Sequence, residues 1–352
     1  MKRIIALIRV LSLLIAWDSL GAVGYRAVGN LTWTVYYKGN VFKRVSREFE
    51  VRTLGVEWSI RTDVKKGNQA GRYDEAYFDG TNLFSLTKFE NAHGGVDDSV
   101  GVVELSEVPD FRPSAVSPVW LAFCSGNYLG QRTDGRIAPV WELPRDSVKD
   151  PAYPILAKWQ FTDSHKSVPK SVVFWNRGQV WDLGGTPLKG LAGSKQATNN
   201  PSRSNELIGV NLKAVFHAAP NPFTSGYTNA IYEVLATTNV GSRVLPLHFI
   251  LTRFGPRRSG PPPSELLTMW TIEGRVMTVS TAEERPRFDP DTSLRTIVTD
   301  QRIRNKYPAI TMDARYLAQN GMWLTERGLE TLPEIKSLIR QVCVSPHEAR
   351  RA

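Results

Sequence analysis

Any chemistry in this chain has to come from scattered groups. Ser85-Leu86-Thr87-Lys88 and Ser167-Val168-Pro169-Lys170 both have S-x-x-K spacing, in which a lysine one helical turn on activates a serine. Ser125-Gly126-Asn127 has the S-x-N form that accompanies that pair in some acyl-transfer enzymes. The mechanism needs its serine at a helix start. Here one match sits in an aromatic, strand-like run, the other contains proline, and no K-T-G follows. The five histidines (His93, His165, His217, His248 and His347) have no ligand spacing, although His217 and His248 fall in expected strands and so can meet in space. Asp289-Pro290-Asp291 lacks the alternating oxygens and the glycine of a calcium loop. There is no phosphate loop, dinucleotide glycine pattern, nucleophile elbow or paired C-x-x-C, so neither a metal nor a cofactor is expected. A carboxylate pair for glycoside hydrolysis would leave no local motif and stays open.

The aromatic side chains carry more signal. Trp33, Tyr37, Trp58, Tyr73, Tyr77, Phe84 and Phe89 crowd the first strands, either as solid core or as the lining of a hydrophobic groove. The two cysteines, Cys124 and Cys343, either form one disulfide or remain two buried thiols, since Cys124 closes the apolar run Val119-Trp120-Leu121-Ala122-Phe123.

These residues must be positioned by strands. Ten Trp, 22 Pro and 27 Gly spread along 352 residues suit many strands joined by turns. Val56 to Val64 alternates with period two, which puts Val56, Trp58, Ile60 and Val64 on one face. Asp79-Gly80-Thr81-Asn82 between aromatic runs predicts a hairpin joining strands at 72–79 and 83–90, followed by a strand at 100–108. Further strands are expected at 153–163, 168–176, 207–217, 227–238, 243–254, 267–281 and 294–299. Pro118 and Gly126-Asn127 bracket a short buried helix near 118–126. Thr331 with Glu334 reads as a capping box for an amphipathic helix near 332–343, docking through Leu332, Ile335, Ile339 and Val342. Long loops are expected at 184–205 and 255–264. The fold class is therefore mainly β: a large curved antiparallel sheet or half-barrel with two helical elements, in one domain over 23–352.

Residues 1–22 read as a signal peptide: Lys2 and Arg3, then an apolar stretch from Ile4 to Trp17, then small residues at Gly21-Ala22. The stretch is too short to span a bilayer comfortably, and no later segment is apolar enough, so the mature chain is expected not to be an integral membrane protein. The net charge of +10 is segregated, with basic residues concentrated in 38–72 and acidic ones in 73–110. Pairing of these segments as neighbouring strands accounts for the pattern without nucleic acid as a partner.

Val56-Glu57-Trp58-Ser59-Ile60, a polar gap, then Tyr77-Phe78-Asp79-Gly80-Thr81-Asn82-Leu83-Phe84 resembles the periplasmic lipoprotein-carrier superfamily over about residues 30–110. The resemblance implies a half-barrel closed by helices around an apolar cavity. Trp58, Ile60, Phe84 and Leu86 would line its concave side, and the partner would be a lipid, an acyl chain or a lipidated protein. The leading expectation is thus a non-catalytic exported protein that binds a hydrophobic ligand. A cell-wall carbohydrate module is second, and an enzyme without a local signature third. Export predicts a mature N-terminus near Val23 in the extracytoplasmic fraction. N-terminal sequencing that finds Met1 intact in the cytosol reverses this.

Overall fold

The computed structural model describes residues 24–64, 73–88, 98–104, 115–131, 155–162, 168–176, 178–186, 211–219, 221–256, 265–290, 295–310, 312–318 and 323–348. The expected signal segment lies outside them, as do most of the two expected loops, although 184–186 and Gly255-Pro256 belong to strands.

Strands β1 (Gly24–Tyr37), β2 (Asn40–Leu54), β3 (Glu57–Val64), β4 (Tyr73–Phe78), β5 (Leu83–Lys88) and β6 (Asp98–Glu104) form an antiparallel meander. Helices α1 (Val116–Phe123) and α2 (Ser125–Gln131) follow, then β7 (Ile155–Phe161), β8 (Pro169–Asn176) and a separate ribbon of β9 (Gln179–Thr186) and β10 (Asn211–Ala218). Three long strands, β11 (Tyr227–Val240), β12 (Arg243–Pro256) and β13 (Leu266–Ala282), bring the chain back to β1. The last elements are β14 (Arg295–Asp300), α3 (Arg302–Lys306), β15 (Ala314–Ala318), α4 (Glu326–Thr331) and α5 (Pro333–Glu348). Among the described residues, thirteen strands make one sheet in the order β15-β14-β6-β5-β4-β3-β2-β1-β13-β12-β11-β8-β7. The sheet is mixed rather than wholly antiparallel, because β14 runs parallel to β6.

Curvature follows from the packing of α1. All eight of its residues are buried, and the helix touches β4, β3, β2, β13, β12 and β11. In a flat sheet β4 and β11 would stand about 29 Å apart at ~4.8 Å per strand, whereas a helix of this length spans about 12 Å. The sheet therefore wraps around α1. At the centre Phe123 meets Phe49 and Phe249, with ring centroids 6.2 and 6.1 Å away, and those two rings are themselves 6.1 Å apart. Each of the two strand phenylalanines lies over a glycine directly opposite it: Phe49 over Gly29, Phe249 over Gly274. A Cβ would stand 2.6 Å from the Phe49 ring at Gly29 and 2.1 Å from the Phe249 ring at Gly274, so no larger residue fits either position.

The sheet buries its other face at its far end. Val103, Val298 and Ala318 pack there with Trp323, and Ile303, Ile310, Leu329 and Ile335 form a second core beneath α3–α5. Leu332, Ile339 and Val342 pack against it as their helical spacing predicts. The capping box is not formed. Thr331 ends α4 and donates to the Gly328 carbonyl at 2.6 Å, and the Leu332 carbonyl instead accepts the first helical bond, from Lys336. Val56 also departs from expectation: it sits exposed in the β2–β3 turn, and Thr62 joins Trp58 and Ile60 on the concave face.

Ile335→Asp places an unpaired charge in this second core. It should cost about 3 kcal/mol or more and lower the thermal midpoint by several degrees. An unchanged melting curve would mean that α5 is not docked.

Candidate functional site

At one end of the half-barrel a pocket of about 470 Å³ opens between the sheet and the α1–α2 junction. Its floor is aromatic and aliphatic: Tyr25 from the start of β1, Trp58 from the start of β3, Phe123 from the end of α1, and Leu245 from β12. Its rim is polar, with Glu57 at the start of β3, Asn127 on α2 and Ser242 and Arg243 at the β11–β12 turn. Gly55 and Gly241 supply the positive φ that the two turns flanking the mouth require.

The junction is fixed by its own hydrogen bonds. The Cys124 amide donates to the Trp120 carbonyl and the Ser125 hydroxyl to the Leu121 carbonyl, each at 2.8 Å. The Tyr25 hydroxyl donates to the Phe123 carbonyl, which satisfies a helix-end acceptor inside the barrel. Burial raises the Tyr25 phenol far above its ordinary range, so it stays protonated. Cys124 is a free thiol at the pocket wall, and desolvation raises its pKa as well. Of the two readings of the cysteines, Cys124 is seen here as a thiol, and the side chain of Cys343 lies outside those described. Among the described residues Arg243 makes no ion pair, which leaves an uncommitted cation at the rim.

The four residues expected to line a concave groove are divided. Trp58 lines the pocket, and Ile60 is fully buried in the core under α1. Phe84 and Leu86 lie on the opposite face. The turn at Asp79–Asn82 pairs Phe78 with Leu83 and Tyr77 with Phe84. Since Trp58 pairs with Phe78, it is Leu83 and Ser85 that share its face. Phe84 and Leu86 pack instead with Phe288 and Trp323. The concave side is likewise not an open groove, because α1 fills it. Tyr25, Phe123, Leu245 and Arg243 were not singled out as ligand-binding residues. The helix stop expected at Gly126-Asn127 is not one: the break falls at Cys124, and Ser125 to Gln131 form α2.

On that opposite face a strap after β13 crosses β3–β5. Arg285 pairs with Glu57, the Asp289 amide donates to Glu75 Oε1 at 2.9 Å, and Phe288 stacks on Tyr77. Beside it lies a charged cleft of about 210 Å³ bordered by Glu50, Arg52, Arg61, Glu75, Arg287 and Asp289. Desolvation raises the Glu75 carboxyl to about 7, opposed by the Asp289 amide and Arg61. His248 contacts Glu273 at 2.8 Å, and among the described residues no three potential ligands gather to hold a metal. Ser85 and Lys88 lie on a strand, not at a helix start.

The sequence matches no protein-family model and no curated protein. The structure is similar to that of a LolA superfamily protein from Nitrosomonas europaea, with 11% identity, a TM-score of 0.26 and coverage of 80% of this chain and 94% of that one. It is also similar to an outer membrane lipoprotein-sorting protein domain from Vibrio parahaemolyticus, with 6% identity, a TM-score of 0.29 and the same coverage. A DUF1329 family protein from Desulfovibrio piger gives 8% identity and a TM-score of 0.25 over 78% of this chain and 91% of that one. These likenesses are too distant to transfer a ligand or a residue role.

The Glu75 carboxyl titrates near 7 in the folded chain against 4.5 ordinarily, so the folded state prefers it protonated. Its stabilising contribution is complete below about pH 4.5 and is lost as pH rises through about 7, by up to about 3 kcal/mol. Glu75→Gln should flatten the fall in melting temperature between pH 5 and 8. An identical fall in the variant would assign it to other groups.

Proposed function

We propose that this chain is a non-catalytic binding protein of the cell envelope. Its pocket takes an amphiphile with an apolar chain and an anionic head, such as a fatty acyl chain or a lipidated partner. One observation carries the reading: an aromatic and aliphatic floor (Tyr25, Trp58, Phe123 and Leu245) meets an uncommitted cation, Arg243, at the rim, where the carboxylate of Glu57 is already paired with Arg285. A volume of about 470 Å³ lies within the ~300–1,000 Å³ range of small-molecule sites. The apolar part of a ligand would displace water from the floor, and its carboxylate or phosphate would take a charge-assisted hydrogen bond from Arg243. Trp58 alone of the four carrier-like positions takes part. Because α1 occupies the barrel interior, the ligand is held at the barrel's end and not along its length.

Two substitutions test this with little effect on folding, since Asn127 is exposed and Arg243 half-buried. Asn127→Trp fills the mouth, and Arg243→Glu reverses the charge of the rim. With a fluorescent fatty-acyl carboxylate as probe, the wild type should bind saturably. Arg243→Glu should weaken binding about ten-fold, equivalent to about 1.4 kcal/mol, and Asn127→Trp should abolish it. Absence of probe binding by the wild type, or binding indifferent to both substitutions, overturns the reading.

A further inference from the structure

We infer that the tip of the β1–β2 hairpin docks on the surface of an anionic lipid bilayer. Pairing of β1 with β13 ends at Val35, and pairing of β2 with β3 ends at Arg47. Among the described residues, 36–46 thus project beyond both neighbouring strands as a two-stranded ribbon. Lys38 and Gly39 both have positive φ, 51° and 82°, as a tight two-residue hairpin turn requires. The register slips between Val35 and Tyr36, leaving Phe42 as the extra residue of a bulge.

This ribbon presents apolar side chains to solvent, contrary to how an isolated hairpin is stabilised. Tyr37 is 62% exposed, Val41 55% and Phe42 73%. The Tyr37 and Phe42 rings lie 6.4 Å apart, and Lys38 Nζ stands 5.3 Å over the Tyr37 ring. Lys38, Lys43 and Arg44 flank the aromatics, no acidic residue occurs between 36 and 47, and none of the three cations has an ion-pair partner among the described residues. Aromatic side chains interleaved with unpaired cations match the two layers of a membrane interface. Tyrosine and phenylalanine rings enter the headgroup–acyl boundary, and the long basic side chains reach back to anionic headgroups. A single-stranded nucleic acid would also stack its bases on these rings, and a wild type that fails to float with vesicles would leave that partner in its place. A protein groove would not call for three cations without a counterion.

The experiment is flotation of the full chain with vesicles of phosphatidylcholine, with and without phosphatidylglycerol, at low and high salt. The wild type should float with the anionic vesicles, lose binding as salt rises, and bind neutral vesicles at least about ten-fold more weakly. Lys38→Glu with Lys43→Glu should reduce binding to anionic vesicles at least about ten-fold, and so should Tyr37→Ser with Phe42→Ser. Lys170→Glu, an exposed charge reversal on β8, should leave it unchanged. The pocket-filling Asn127→Trp should float as the wild type does, so failure of the amphiphile reading and failure of this one are separable. The inference is overturned by a wild type that does not float, or by equal loss from Lys170→Glu. It is overturned equally if the charge variant fails while the aromatic variant binds normally, which would identify general adhesion to polyanions.

Discussion

The contact among Phe49, Phe123 and Phe249 is the constraint on which the half-barrel depends. Among the described residues the sheet runs from β15 to β7 without pairing its two ends, and its concave side must bury something. One short, wholly buried helix supplies that occupant. It is seated because Phe49 and Phe249, on strands separated by β1 and β13, reach each other across two glycines. Gly29 and Gly274 give up their own packing so that the two rings can fold over them, which is how an aromatic residue compensates a glycine in a strand. The width of the concavity is thus set by two rings and a helix end. The pocket beside Phe123 is what remains of that space after α1 is inserted.

The sheet's core changes sides along its length, and this explains what was legible in the sequence. Period-two alternation identified β3 and the buried face that carries Trp58 and Ile60, and the Asp79-Gly80 hairpin was visible as turn chemistry. Parity across the turn was not. Asp79 accepts from the amides of Thr81 and Asn82, and its own amide donates to the Asn82 carbonyl. That closes a turn with an even number of residues. An odd number would have put Phe84 beside Trp58; the even one puts Leu83 there and sends Phe84 and Leu86 to the face covered by Phe288 and Trp323. Those covering residues lie more than 200 positions away in the chain, and no local pattern announces them. The C-terminal helix was readable for the opposite reason. Its apolar stripe repeats at helical spacing whatever it packs against, whereas its cap depended on a preceding helix, α4, that the sequence did not suggest.

Charge segregation was legible in outline and wrong in depth. The basic and acidic segments are neighbouring strands, with Arg61 opposite both Glu50 and Glu75. Yet the closest pair between them, Arg47 to Asp74 at 2.7 Å, is buried and is joined by the Thr87 hydroxyl at 3.0 Å. A buried pair of this kind adds little net stability against an apolar alternative, but breaking it leaves a charge without water, so it penalises any shift of register between β2 and β4. The expected pairing of neighbouring strands did not distinguish buried charges from exposed ones. Sequence alone does not say which member of an alternating strand faces in once both sets contain polar residues.

The proposed amphiphile pocket and the hairpin tip lie at opposite ends of the same two strands. Tyr25 and Thr53, which pair near one end, line the pocket, and Tyr37 and Asn40 pair at the other. Twelve residues of extended chain separate Tyr25 from Tyr37, about 40 Å at ~3.3 Å per residue. Over most of that length β1 is hydrogen-bonded on both sides, so it acts as a stiff spacer. Docking at the tip would leave the pocket mouth facing away from the surface, open to a partner arriving from the other side. A ligand leaving that surface would have to travel the length of the strands through solvent. If both proposals hold, this separation favours a protein that docks on one surface and presents its pocket to a second, over one that extracts lipid from the bilayer on which it rests.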